Sequence, residues 1–455
     1  MSGPSPPGPH LAGTGEHDTP SCSGATPRAL ARIGAWVALH PLLATAILAF
    51  AARFVVATAI SIFFGGSLVP DDQTYPQLAA EAAGGRTADW SPHERNLFEV
   101  TLAYTGALAL LFLAFGPILL VGQLWSAVLG TVTAVCVAAL AMRIVRGRAA
   151  FVAGAAAAMY PSQVLWSSLT LKDAAVWAAL ASIGLVVAWA SDVGPRTLWI
   201  YCLAAGGLLI TLSFLRDHTA VVAAWAFLLA MIIVGGKHGV IRAGGAAVTV
   251  VIAPLLVGLG PLGWNFVAQN AGDLSERRSN NAIGAASAIA GASKPTEPGG
   301  GATPPDSDDS VTEGRTPAGK GEGSLGATED LGNNAKYLPR GVLAVVFEPT
   351  PWSEKRNVAT TLASLESLLW YPLLGAALVG SRTIWRNRSV LAFPALTAGG
   401  ILMMYSLSEG NVGTAYRHRG EVVWAVICLA AACLPSVRSS GMRGPVGEAS
   451  TECSA

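Results

Sequence analysis

The sequence predicts an all-α polytopic membrane protein with about ten transmembrane helices. Only 13% of the 455 residues are charged, whereas soluble domains carry about 25%. The hydrophobic share is 52% and the mean hydropathy is +0.50. The apolar residues fall into blocks of about 17–24 residues, which is the length that crosses a hydrocarbon core as a helix. The net charge of +1 gives no indication of nucleic-acid binding.

The ten predicted spans follow directly from these apolar blocks. A further apolar stretch, 100–116, is interpreted as a helix that lies at the outer interface or re-enters the membrane. If it spanned, every later cationic loop would move to the outside. The predicted spans are 42–64, 118–141, 149–165, 174–191, 197–214, 219–236, 243–264, 363–380, 389–407 and 421–435.

The distribution of cations predicts the orientation, because cytoplasmic loops carry an excess of Lys and Arg. With both termini in the cytoplasm, the inner loops hold nine cations and a single acid, Asp192. The expected location is a bacterial cytoplasmic membrane. The nine cations are Arg143, Arg146, Arg148, Arg196, Lys237, Arg242, Arg382, Arg386 and Arg388.

Composition also divides the chain into segments. The six cysteines lack the spacing of zinc ligands and are interpreted as packing or tail residues. Segments rich in Gly, Pro, Ser and Thr are expected to be disordered. The predicted segments are a cytoplasmic tail 1–33, an N-terminal membrane module 34–265 with a first outer loop 65–117, a long and largely disordered outer loop 266–340, a C-terminal membrane module 341–436 and a cytoplasmic tail 437–455.

The unusual polar residues gather on the outer face, so chemistry is expected there. Asp71 and Asp72 follow the first span, where either carboxylate is a candidate general base or a ligand for a divalent cation. The alternative is that they cap a helix. Lys172 and Asp173 begin the fourth span. Asp173 has a capping alternative, but the helix dipole disfavours a cation at this end, and a phosphate partner would offset that cost.

Two further clusters complete the candidate site. Arg216, Asp217 and His218 lie at the end of the fifth span, where an internal ion pair is the alternative interpretation. The segment Ser408–Gly420 places two arginines around a histidine after a Gly-rich turn, an arrangement suited to phosphate. Arg53, inside the first span, is expected to reach the interface or pair with an acid. The candidate binding residues are Tyr75, His93, Lys172, Asp173, Arg216, His218, Asn411, Tyr416, Arg417, His418 and Arg419.

The order of these features resembles the GT-C type of membrane glycosyltransferases, which use polyprenyl-phosphate-linked sugars. The similarity lies in the acidic first outer loop with Tyr75, an interface helix that ends in Phe115-Gly116, and the segment PSQVLWSSLTLKDAAVWAAL. It covers roughly residues 40–265. The C-terminal stretches RGVLAVVFEPTPW and EGNVGTAYRHR look like those of exopolysaccharide-type membrane proteins.

The resemblance implies a transferase that moves a sugar to a glycan, lipid or protein acceptor of the cell envelope. Asp71 or Asp72 would be the catalytic base, and Arg417 and Arg419, with Lys172 or Arg216, would neutralise the phosphate. His93 and His218 are weaker candidates for proton handling. The second acid of the family's metal-using relatives has no match, so no metal site is assigned, and a divalent metal stays open as a cofactor.

Three other interpretations stay open. A polysaccharide polymerase or ligase of the O-antigen type would use lipid-pyrophosphate oligosaccharides and the outer arginines. A transporter or lipid flippase would place polar residues near the midplane. A structural scaffold is the remaining possibility. The position of loss-of-function substitutions would separate the transferase, the polymerase or ligase, and the transporter.

Overall fold

The computed structural model describes residues 32, 34–69, 71–235, 239–256, 331–350, 358–408 and 412–434. Every long regular element in these ranges is an α-helix, which confirms an all-helical membrane protein. The predicted tails 1–33 and 437–455 and most of the predicted loop 266–340 lie outside the described residues. We number the helices α1 Pro41–Phe63, α2 Asp71–Ala83, α3 Pro92–Val100, α4 Leu102–Phe115, α5 Leu119–Met142, α6 Gly147–Met159, α7 Pro161–Trp166, α8 Asp173–Ala190, α9 Pro195–Ser213, α10 Asp217–Val234, α11 Gly239–Leu256, α12 Leu331–Phe347, α13 Val358–Ser381, α14 Arg388–Ser408 and α15 Val412–Ala431.

Seven of the described helices are long and apolar enough to cross a membrane, namely α1, α5, α8, α9, α10, α13 and α14. These seven match predicted spans to within a few residues. The predicted span 149–165 is divided into α6 and α7, because Pro161 interrupts the helix. The predicted span 243–264 extends past the described part of α11, and 421–435 begins inside α15. The number of ten spans therefore stays a prediction.

The stretch 100–116, predicted to lie at the interface, corresponds to α4, which follows the short helix α3. α3 and α4 meet at an angle of 97°, the geometry of a re-entrant loop or of a broken span. A capping box at Ser91 and Glu94 starts α3. α4 packs on α2, where Tyr75 and Tyr104 form an edge-to-face ring pair with 5.9 Å between centroids. Tyr104 is also hydrogen-bonded to Ser126 of α5 at 2.7 Å, which ties this layer to the bundle.

Small residues allow the helices of the bundle to approach closely. α1 packs against α5 and α6, α5 packs against α8, and α15 packs against α13 and α14. At the centre, Trp177 and Trp424 are fully buried, and Phe393 packs on Trp424. Gly154 leaves no room for a Cβ atom, which would come within 2.8 Å of both Thr45 and Ala138. Such contacts are typical of membrane helix interfaces.

The end of the bundle predicted to be cytoplasmic has simple, local charge contacts. Arg143 pairs with the exposed Asp192, the single acid predicted on that side. Arg242 donates to the carbonyl oxygens of Ser191 and Val193 at 2.9 and 3.2 Å. The opposite end, where α2, α8, α10 and α15 begin, is built differently and holds the candidate site.

Candidate functional site

Five charged residues from distant parts of the chain meet at one end of the bundle. We call this group the ion cluster, and it consists of Asp71, Asp173, Arg216, Arg417 and Glu421. Asp71 and Asp173 are the first residues of α2 and α8, Arg216 precedes α10, and Arg417 and Glu421 lie one turn apart on α15. The start of several helices at the same end is what brings these residues together.

Asp173 is the centre of the ion cluster. Its Oδ1 accepts a hydrogen bond from Nη2 of Arg216 at 2.8 Å, and its Oδ2 accepts one from Nη2 of Arg417 at 2.7 Å. Nε of Arg417 lies 3.2 Å from the same Oδ2. The side chain of Asp173 is 1% exposed, so both oxygens are satisfied inside the protein rather than by solvent. This arrangement compensates the high cost of burying a carboxylate.

From Asp173 the ion cluster extends in two directions with charges of alternating sign. Inward, Arg216 pairs with Glu421, whose side chain is fully buried. Outward, Nη1 of Arg417 donates to Oδ2 of Asp71 at 2.9 Å. The side-chain exposure rises from 0% at Glu421 to 22% at Arg417 and 52% at Asp71. The cluster therefore links a buried acid to a carboxylate that solvent can reach.

Polar groups surround the buried end of the ion cluster. Glu421 accepts from Tyr405 Oη at 2.6 Å and from Thr219 Oγ1 at 2.9 Å. The His418 ring stacks on Tyr405 with 4.1 Å between centroids, and its Nδ1 lies 2.8 Å from Nη1 of Arg216. The same Nδ1 also lies 3.1 Å from Oε1 of Glu421. A guanidinium only donates and a carboxylate only accepts, so the tautomer of His418 decides which of these two contacts is a hydrogen bond.

His218 reaches the same tyrosine from α10. Its Nδ1 lies 2.8 Å from Oδ1 of Asp217, and its Nε2 lies 3.2 Å from Tyr405 Oη. The predicted ion pair of Arg216 with Asp217 is not formed among the described contacts, because Arg216 faces Asp173 and Glu421. Both histidines thus contact Tyr405, which no sequence pattern singles out as a site residue.

Lys172 lies beside the ion cluster and is half-buried. Burial, together with the nearby Arg216, lowers the pKa of its ammonium to about 8, against the opposing effect of Asp173. Among the described residues its ammonium forms no hydrogen bond or ion pair, whereas its backbone carbonyl accepts from the N–H groups of Ala175 and Val176. It is therefore a cation at this site with capacity for an added anion.

Tyr75 and Arg417 frame the open side of the site. Burial and the nearby Asp71 raise the pKa of Tyr75 to about 12, so its hydroxyl stays protonated and neutral. The Arg417 guanidinium lies over the Trp166 ring, 5.7 Å from its centroid. Of its five N–H donors, three are directed at Asp71 and Asp173, which leaves two for a ligand.

The two aspartates of the doublet have different environments. Asp72 is fully buried and accepts from Ser67 Oγ and from the backbone N–H groups of Leu68 and Val69, the latter two at 2.7 and 3.3 Å. Those contacts are a cap on the chain that enters α2, which was the alternative interpretation of the doublet. Asp71 is the exposed member, and it faces Arg417.

The two arginines of the last predicted cluster also separate. α15 begins at Val412, so Arg417 and Arg419 lie about 200° apart around one helix. Arg419 lies over the Trp370 ring at 5.2 Å and its Nη1 is 3.4 Å from the carbonyl oxygen of Glu348. The structure therefore does not join Arg417 and Arg419 in one clamp.

The remaining predicted residues are placed as follows. His93 is exposed on α3 and makes no contact with the ion cluster among the described residues. Asn411 lies outside the described residues, and only the backbone of Tyr416 is described. Glu421, Tyr405 and Thr219 were missed as site residues. The spacing of four residues from Arg417 to Glu421 was the signal for Glu421, because such residues share a helix face.

The carboxylates of this site face arginines rather than one another. In the described ranges, no group of three or more His, Cys, Asp or Glu residues is arranged to hold a metal ion. The arrangement instead offers one exposed carboxylate, one half-buried ammonium and a partly occupied guanidinium side by side. Comparison with protein families, with curated proteins and with solved structures found no match for this chain.

Proposed function

We propose that the protein is a membrane glycosyltransferase that moves a sugar from a polyprenyl-phosphate donor to a cell-envelope acceptor. The reaction would take place on the outer face of a bacterial cytoplasmic membrane. The observation that carries the proposal is the exposed Asp71 carboxylate, held by Arg417 next to Lys172 at the end of the bundle. An acid for the acceptor and cations for the donor phosphate are what this transfer requires.

Asp71 is the proposed catalytic base. It would take the proton of an acceptor hydroxyl while that oxygen forms a bond to the anomeric carbon of the donor. The bond from this carbon to the phosphate oxygen breaks, and polyprenyl phosphate leaves with the electron pair. Arg417 orients Asp71, since their contact of 2.9 Å fixes one carboxylate oxygen and leaves the other for the acceptor.

Lys172 and Arg417 are the proposed partners of the phosphate. Lys172 has capacity for an anion, and Arg417 retains two N–H donors. Arg216 has a different role in this proposal, because Asp173 and Glu421 occupy it and its side chain is only 7% exposed. It holds the buried half of the ion cluster together and so fixes the positions of Arg417 and Asp173 relative to each other.

The test is the release of polyprenyl phosphate. Purified protein would be incubated with a panel of polyprenyl-phosphate sugars and an envelope extract, and the released lipid phosphate would be measured. We expect release by the wild type and a loss of about 10²–10⁴-fold in Asp71→Asn, the usual contribution of a general base. Asp72→Asn is the matched control, because the structure places that carboxylate in a cap.

Two results would contradict this assignment. Loss of release in Asp72→Asn with retention in Asp71→Asn, at equal protein stability, would make the buried residue the base. No release from any monophosphate donor, with turnover of a pyrophosphate-linked oligosaccharide that depends on Arg417, would indicate the polymerase or ligase alternative instead. Transport of an intact lipid-linked sugar without release would indicate a transporter.

A further inference from the structure

The span formed by α6 and α7 is interrupted at Tyr160-Pro161, inside the apolar block predicted to cross the membrane. Tyr160 is extended and Pro161 starts α7. Pro161 has no N–H to donate to the carbonyl four residues earlier, and the N–H of Ser162 is directed elsewhere. The last carbonyls of α6 and the first N–H groups of α7 therefore need partners from outside their own helices.

Arg53 of α1 supplies the partner at the α6 side of the interruption. Its side chain is fully buried, and its Nη1 donates to the carbonyl oxygen of Ala158 and to that of Ala49, each at 3.0 Å. A cation at the C-terminal end of a helix is favoured by the helix dipole. Arg53 forms no ion pair with a carboxylate among the described residues, so these carbonyl oxygens compensate its charge.

Glu366 of α13 supplies the partner at the α7 side. Its Oε2 accepts from the backbone N–H of Ser162 at 2.8 Å, and its Oε1 accepts from Ser162 Oγ at 3.0 Å. This acid is 3% exposed. The two halves of the interrupted span are thus held by two buried residues of opposite charge, from two different helices.

Arg53 also fixes the segment that leads from α7 to the ion cluster. Its Nε donates to Ser167 Oγ at 2.7 Å, and its backbone carbonyl accepts from Ser168 Oγ at 3.2 Å. Lys172 and Asp173 follow four and five residues after Ser168. Gly130 makes room for this contact, since a Cβ atom there would lie 2.5 Å from Nε of Arg53.

We propose that Arg53 and Glu366 are positioning residues that hold the interrupted α6–α7 span and thereby place Lys172 and Asp173 at the site. This inference rests on the proposed function only for its activity measurement. If Arg53 and Glu366 only filled space, an apolar residue of similar length could replace either of them without effect. A positioning role requires the planar donors of arginine at one end and a charged acceptor at the other.

The first experiment measures hydrogen exchange of peptides that cover residues 155–170 in detergent-solubilised protein. We expect Arg53→Met and Glu366→Gln to exchange at least about tenfold faster there, the effect of losing a charge-assisted hydrogen bond. Val55→Met is the matched control, because Val55 lies on the same helix and its side chain is 64% exposed. Unchanged exchange in folded Arg53→Met protein would overturn the proposal.

The second experiment measures whether the effect reaches the ion cluster. A cysteine at position 172 would be labelled with a maleimide and the rate followed by mass spectrometry of that peptide. With Arg53→Met in addition, we expect labelling to speed up about tenfold, and with Val55→Met we expect no change. Equal rates in the two double variants would show that Arg53 does not position this segment.

Activity gives a third, separable measurement. Displacement of Lys172 weakens donor binding, so we expect Arg53→Lys to raise KM for the donor several-fold with a smaller effect on kcat. A lysine keeps the charge and the helix-end contact but lacks the fork that also reaches Ser167. A several-fold fall in kcat with an unchanged KM for the donor would contradict the positioning role. If the wild type released no polyprenyl phosphate, the proposed function would fail while the exchange and labelling results still decided this inference.

Discussion

Asp173 and Asp71 share one arginine, yet the structure predicts opposite consequences for their replacement. Asp173→Asn keeps the shape of the side chain but places a neutral amide between Arg216 and Arg417. One of the two carboxylate oxygens becomes an NH₂ group that faces an arginine N–H. Asp71→Asn makes the same chemical change at the exposed end of the same chain of ion pairs.

The loss of stability expected for each variant depends on how deeply the replaced carboxylate is buried. Removing one partner of a buried ion pair costs about 3–5 kcal/mol, because the remaining charge is left in a medium that does not solvate it. Asp173 is 1% exposed and compensates two guanidinium groups, so we expect Asp173→Asn to lie in that range. Asp71 is 52% exposed, and an ion pair of that kind contributes about 0–1 kcal/mol. Only Asp71→Asn should combine near-normal stability with lost transferase activity.

Thermal unfolding in one detergent, followed by intrinsic fluorescence, is the assay. About 1 kcal/mol shifts Tm by about 2–4 °C in domains of 150–250 residues, so Asp173→Asn should melt at least about 5 °C lower. Asp192→Asn is a second exposed control, because it removes the ion pair with Arg143 at the other end of the bundle. If Asp173→Asn melted within about 1 °C of both controls, the buried double ion pair would not stabilise the protein and our reasoning on the ion cluster would be refuted.

Three further predictions concern pH, packing and orientation. Lys172 is charged below its pKa of about 8 and neutral above it, so KM for a phosphate donor should rise up to about tenfold per pH unit above that value. Lys172→Arg should remove this rise. An identical pH profile in both proteins would exclude Lys172 as a partner of the phosphate. Gly380→Ala should destabilise the protein, because its Cβ would lie 1.9 Å from a backbone oxygen of α15, whereas Gly375→Ala on the same helix meets open space and should not; equal melting of the two variants would contradict this packing. The cysteine introduced by Thr87→Cys should react with a membrane-impermeant maleimide on intact cells, whereas the native Cys433 should react only after permeabilisation. The reverse pattern would contradict the predicted orientation.

The helices of this protein were largely predictable because an apolar block has one stable outcome in a membrane. The predicted span 118–141 corresponds to Leu119–Met142. The meeting of Asp71, Asp173 and Arg417 was also foreseeable in outline. Alternating spans place every second loop on the same side, so polar residues of those loops share one end of the bundle.

The details that were not predictable depend on rotation and on local backbone geometry. Arg417 and Arg419 were treated as parts of a loop, whereas α15 already starts at Val412 and turns them to different faces. Asp72 and Asp71 are equivalent in sequence, and only the path of the chain before α2 makes one a cap. Arg53 was expected to reach the interface or pair with an acid, but it donates to carbonyl oxygens that the interruption at Pro161 leaves open.

The cost of the ion cluster argues for a functional origin. Replacing a buried ion pair by well-packed apolar residues is often neutral or stabilising, so Glu421, Arg216 and Asp173 are not needed merely to hold α8, α10 and α15 together. The opposite end of the bundle has an exposed ion pair, Arg143 with Asp192, whose charges lose less hydration. What the costly arrangement provides is a fixed position for Arg417 and Asp71, the two members that reach the surface. A bundle that needed only stability would have no reason to extend buried charges as far as an exposed carboxylate.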